Sequence, residues 1–148
     1  VLGASLSDQL ASVPVPTAPE QDAALTNFVL EAARIFNPVN FINVILDEAE
    51  THKIGCFSWT FPKGTLGAAS ILLGSLDSQE FPHPFRFQPN RPDLAGRTIT
   101  FNCVGLQALA TKYGPDAAKR ACLGRFFAVT MVKQVLRAYH RNVPVQAA

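Results

Sequence analysis

Charged side chains are scarce in this chain: Asp, Glu, Lys and Arg make up 16% of its 148 residues, while hydrophobic residues make up 48%. An average soluble domain carries about 25% charge. So few charges leave apolar surface uncovered, which implies a lost partner half, a homo-oligomer, or a large apolar ligand. Cysteine is scarce too. Cys56, Cys103 and Cys122 are an odd count without C-x-x-C spacing, which argues against a disulfide framework and a zinc site. Cys56 and Cys103 read as small buried apolar residues. No apolar run approaches the ~20 residues that span a bilayer. No Asn-x-Ser/Thr sequon is present, and no signal peptide is visible, so a cytoplasmic location is expected. Val1 opens the chain in place of a methionine, which leaves processing or truncation open.

Several function classes fall away with these absences. His52, His83 and His140 lie far apart and form no metal spacing, so each reads as a surface histidine. The serines sit in no nucleophile elbow, and no phosphate loop occurs. Net charge is +2 but unevenly spread. Residues 1–50 hold Asp8, Glu20, Asp22, Glu31, Asp47, Glu48 and Glu50 against Arg34. Beyond residue 110 stand Lys112, Lys119, Arg120, Arg125, Lys133, Arg137 and Arg141 against Asp116. The basic stretch reads as a solvated helix face balanced by the acidic half. It carries no interleaved aromatic stripe that would argue for nucleic acid.

The pattern predicts one mixed α and β domain, residues 20–148, behind an arm and proline-rich linker, residues 1–19. Residues 3–12 suit a short helix, ended by three prolines between 14 and 19. A helix opens at Glu20, with Leu25, Phe28, Val29, Ala32, Ala33 and Phe36 on one face, and stops at Asn37-Pro38. Residues 39–46 suit a strand. Stretches 53–60 and 65–73 flank Pro62-Lys63-Gly64, which suggests a hairpin. Core packing is expected for Phe57, Trp59 and Phe61. Residues 76–80 suit one helical turn. The prolines of Phe81 to Pro92 forbid regular structure, so that run must be a loop held by side chains. Residues 98–110 suit a strand turning into a short helix. The longest helix covers 122–140, with Phe126, Val129, Val132, Leu136 and Tyr139 on one stripe.

Chemistry concentrates at Arg120-Ala121-Cys122-Leu123-Gly124-Arg125-Phe126-Phe127-Ala128. Here a cysteine stands where a loop becomes a helix, and a helix N-terminus favours a thiolate. Gly124 permits close approach of a flat ligand. Arg120 offers a fixed cation to an anionic group on that ligand. These features suit a haem with one axial cysteine and propionates in need of a partner. Leu123 and Phe126 are placed to shield the sulfur from water.

This spacing resembles the haem-thiolate loop of the cytochrome P450 superfamily. Three further stretches resemble that family, in its order: Glu31-Ala32-Ala33-Arg34 its E-x-x-R helix, Phe61-Pro62-Lys63-Gly64-Thr65 its P-x-G-T turn, and Phe81 to Arg91 its meander. Glu20 to Leu25 and Arg91-Pro92 resemble the P450-like domain fused to fungal fatty-acid dioxygenases. The resemblance covers roughly residues 20 to 141, about the C-terminal part of a P450, and no long helix carrying the acid-alcohol pair is found. It implies an α+β, mainly helical, partial P450-like fold. It further implies a haem cofactor on Cys122, with Arg120, Leu123, Gly124 and Phe126 around it, and Arg120 on a propionate.

The resemblance also implies a structural triad of Glu31, Arg34 and Arg91 that holds the meander without reacting. Read from spacing alone, Glu31 and Arg34 are equally an ordinary i,i+3 pair worth ~0.2–0.5 kcal/mol. Two departures mark the cysteine loop: Ala118 where the family favours glycine, and Pro115 where it favours phenylalanine. The implied function is monooxygenase or peroxygenase-like oxidation of an apolar small molecule. The alternative is a non-catalytic relative that binds an apolar ligand or pigment, or pairs with itself.

Overall fold

The computed structural model describes residues 5–37, 39–100, 122 and 124–142. Among them five helices and two small antiparallel sheets form an α+β fold. Helix α1 (Leu6–Ser12) starts at a reciprocal cap: Ser5 Oγ accepts from the Asp8 N–H, and Asp8 Oδ2 accepts from the Ser5 N–H. The proline segment then runs extended into a 3-10 turn at Pro19–Gln21, which leads into α2 (Asp22–Ile35). Asp22 in the first turn of α2 and Arg34 in its last complement the helix dipole. The N-terminal segment lies against the domain. Leu10, Val13 and Val15 pack on Phe28, Ile35 and Phe87, and Gln9 Oε1 accepts from the Phe87 N–H at 3.1 Å.

The strands nest. Strand β1 (Phe41–Ile45) pairs antiparallel with β4 (Leu66–Ser70), from Phe41 opposite Ser70 to Ile45 opposite Leu66. Inside this pair sits a hairpin of β2 (Glu50–Ile54) and β3 (Phe57–Phe61). The hairpin expected across Pro62-Lys63-Gly64 is therefore absent. The turn there, with Gly64 at φ +83°, links β3 to β4, which are not partners. The true hairpin turn is Gly55-Cys56, with Gly55 at φ +62° as the two-residue turn that takes glycine first. Cys56 is accordingly exposed at a turn, not buried.

The expected strand over 65–73 stops at Ser70, because the Ser70 hydroxyl accepts from the Leu73 N–H at 3.1 Å and caps α3 (Ile71–Ser75). This helix takes the place of the turn expected at 76–80. An irregular loop follows to α4 (Leu94–Arg97). Residues 101–121 lie outside the described residues, and with them most of the strand and helix expected over 98–110. The last helix, α5 (Arg125–Asn142), begins three residues after Cys122 and packs on α2.

Two apolar clusters flank α2. One joins Phe28, Ile35 and Phe87, with the Phe28 and Phe87 rings edge to face at 5.0 Å. The other joins Leu30, Phe81 and Leu94, backed by Val129 of α5. The loop thus supplies Phe81 and Phe87 to the core. Elsewhere apolar side chains face outward. Phe57, Trp59 and Phe61 are exposed instead of buried, because the β2–β3 hairpin packs extensively on no other helix or strand among the described residues. Phe126, Val132 and Tyr139 are exposed as well. Helix α5 has apolar residues on two sides, so periodicity alone does not select the face that meets α2. Val129 and Leu136 face the domain, while Phe127, Met131 and Val135 point away. No helix among the described residues is long and apolar enough to cross a membrane.

Candidate functional site

The fold brings Glu31, Arg34 and Arg91 into one buried cluster. Glu31 and Arg34 lie one turn apart on α2, and both are fully buried. Arg34 grips Glu31 with a parallel fork, Nε to Oε2 and Nη2 to Oε1, both at 2.8 Å. Arg91 reaches the same carboxylate from the loop, Nε to Oε1 at 3.0 Å. The Gln88 N–H donates to Oε1 at 3.1 Å. One carboxylate is therefore shared by two guanidiniums and a backbone amide, which satisfies its lone pairs without water.

The guanidiniums also hold the chain. Arg34 donates to the carbonyls of Ser75 (2.6 Å) and Pro84 (2.8 Å). Arg91 donates to those of Pro82 (2.7 Å), His83 (3.0 Å) and Arg86 (3.1 Å). The Pro82, Pro84 and Arg86 carbonyls lie where prolines forbid ladders, and a buried carbonyl left unpaired costs ~1–3 kcal/mol. His83 sits at φ +53° within this grip. The Arg34 guanidinium lies 4.9 Å from the Phe81 ring centroid, so the ion cluster and the core share that residue. The arrangement is structural: every reactive atom of Glu31 is engaged and none faces solvent.

A second site lies at the start of α5. Cys122 is a free, exposed cysteine. Its carbonyl accepts from the Arg125 N–H at 3.2 Å and from Arg125 Nη1 at 3.1 Å. Among the described residues, a side chain built at Gly124 would meet nothing nearer than Cys122 Sγ at 3.9 Å. Phe126 is 64% exposed and stacks with the Arg125 guanidinium at 4.2 Å, so it leaves the sulfur uncovered. Arg120 and Leu123 lie outside the described residues. Among the described residues no group of three or more His, Cys, Asp or Glu converges as for a metal ion held by several side chains. A haem with a single protein ligand requires one accessible sulfur and a neighbouring position without a side chain, and the exposed Cys122 with Gly124 fits that.

Arg125 is the site residue that spacing did not reveal. The signal was an arginine three after the cysteine, next to an aromatic. The basic stripe of α5 is likewise partly engaged. Lys133 Nζ meets Asp22 Oδ2 at 2.6 Å and Thr26 Oγ1 at 2.9 Å, and Arg137 Nη2 meets Asp22 Oδ1 at 2.8 Å. Lys133 first, then Arg137, holds the Asp22 carboxyl below the usual carboxylate range through these hydrogen bonds. A groove of about 380 Å³ opens beside this seam, lined by Leu10, Phe28, Ala32, Phe36, Val132 and Leu136, all apolar.

Compared with known proteins, the chain matches no protein-family model and no curated protein.

Proposed function

We propose that this chain is the cysteine-bearing part of a haem-thiolate protein of P450 type, with Cys122 as the residue that would hold the iron. The observation that carries this reading is the Glu31 carboxylate shared by Arg34 of its own helix and Arg91 of the proline-rich loop, all three buried. That is the triad the P450 resemblance implies, and it sets the loop against the helix on which α5 packs. When bound, the haem supplies oxidative chemistry, with thiolate ligation favouring O–O cleavage. Cys122 would hold the group, Gly124 would leave room for it, and Arg120 would offer a cation to a propionate. Oxidation of an apolar small molecule then requires peroxide, or oxygen with an electron donor, and a distal cover from a partner half or a second copy. The expected setting is cytoplasmic.

The test is spectroscopic. The purified chain is supplied with haem, reduced and exposed to carbon monoxide. A red-shifted Soret band that disappears in Cys122→Ser supports the reading, and no band, or one indifferent to Cys122→Ser, overturns it.

A second reading draws on the apolar groove and the outward Phe57, Trp59, Phe127 and Val135. The chain would then bind an apolar molecule or pigment without catalysis, or self-associate. A coloured protein without iron or a Soret band favours this second reading.

A further inference from the structure

We infer that Arg125 is a positioning residue for Cys122, gripping its carbonyl while setting a positive charge, unpaired among the described residues, on the residue that carries the sulfur. The inference rests on the haem-thiolate reading. Arg125 is only 6% exposed, yet no carboxylate among the described residues pairs with it. Its Nε is buried without a hydrogen-bond partner. A buried guanidinium without a counter-ion is costly, because desolvation is not offset by an opposite charge. The other buried arginines differ: Arg34 and Arg91 share Glu31.

What Arg125 does engage lies on both sides of it. Nη1 holds the Cys122 carbonyl, doubling the bond that the Arg125 N–H makes to the same oxygen. The guanidinium face rests on the Phe126 ring at 4.2 Å. Two donors on one carbonyl restrain the backbone of Cys122, and hence the point from which its side chain leaves the chain. The charge sits 3.1 Å from the carbonyl oxygen of the residue that carries the sulfur, at the N-terminus of an 18-residue helix, whose dipole has the same sign. Both would draw electron density from a sulfur that held iron, and so would favour the reduced metal.

Three variants separate the two roles. Arg125→Lys keeps the charge, Arg125→Gln keeps a donor for the carbonyl without charge, and Arg125→Leu keeps neither. In haem-loaded protein, the midpoint potential is expected to fall in Gln and Leu but stay near wild type in Lys. The red-shifted Soret band under carbon monoxide is expected to persist in Lys and Gln and to be lost in Leu. Potentials and bands unchanged in all three overturn the inference. Should wild type take up no haem, the haem reading fails by itself, and the inference is read on the apo-protein. There the rates at which anionic iodoacetate and neutral iodoacetamide alkylate Cys122 are compared on its peptide by mass spectrometry. Their ratio is expected to fall several-fold in Gln and Leu but not in Lys. An unchanged ratio overturns the inference, and the Gln and Lys pair decides it if Leu does not fold.

Discussion

Glu31 and Arg91 stand 60 positions apart in the chain and meet at 3.0 Å, on a carboxylate that no solvent reaches. This contact, with the Gln88 N–H on Glu31 and Arg34 on the Pro84 carbonyl, ties a helix to a loop that has no ladder of its own. Removing one partner leaves a buried charge and several carbonyls unmatched. Arg91→Leu is expected to lower unfolding free energy by about 3–5 kcal/mol, read from the urea midpoint. Combined with Glu31→Gln, the costs should fall short of their sum by ~0.5–3 kcal/mol. Strict additivity would show that the two side chains are not energetically joined.

Asp22 gives a pH signature. Lys133 and Arg137 hold its carboxyl below the ordinary range in the folded chain, so the unfolded chain binds the proton more tightly. The pairing therefore contributes stability above the unfolded value, about 3.9, and that contribution is lost as the pH falls through the lower folded value. The carboxylate is 55% exposed, so the effect is small and weakens with salt. Melting at pH 5 and pH 2 should differ less in Asp22→Asn than in wild type. Equal differences would remove Asp22 from the seam between α2 and α5.

Gly124 separates room for a ligand from need for a fold. Among the described residues a methyl group there meets only Cys122 Sγ at 3.9 Å. Gly124→Ala is thus expected to cost under about 1 kcal/mol, the usual range for losing a good residue at a helix start. Gly124→Leu should keep the circular dichroism of wild type but abolish haem uptake. Equal uptake by both variants and wild type would mean that nothing approaches this face.

Trp59 reports on the outward hairpin. It is 56% exposed, so its fluorescence should be quenched readily by acrylamide at low protein concentration. If the hairpin meets a second copy, quenching falls as concentration rises, and sedimentation shows a dimer over the same range. Constant quenching with a monomeric profile would leave that face solvated.

Much of this was legible in the chain. The α2 pattern ended where Asn37-Pro38 said it would, and the prolines between 81 and 92 ruled out regular structure. The hairpin was not legible. Ile54-Gly55-Cys56-Phe57 reads as an unbroken apolar run, and Pro62-Lys63-Gly64 is the louder turn signal. Only pairing of β1 with β4 shows which turn closes a ladder. Burial of Phe81 and Phe87 was hidden for a related reason: loop aromatics have no period that marks a core-facing side. The outward Trp59 marks the limit of composition, since whether an aromatic is covered depends on what lies opposite.

The nested strands have a practical corollary. Leu46 and Gly64 already bond across the mouth of the inner hairpin, as do Leu46 and Thr65, so the stretch between them hangs as a closed excursion. Replacing residues 47–63 with a brief polar link should leave the outer ladder tied at its own ends. Such a trimmed variant would shed Trp59 and its greasy neighbours, and the same junction would accept a tag or a reporter domain.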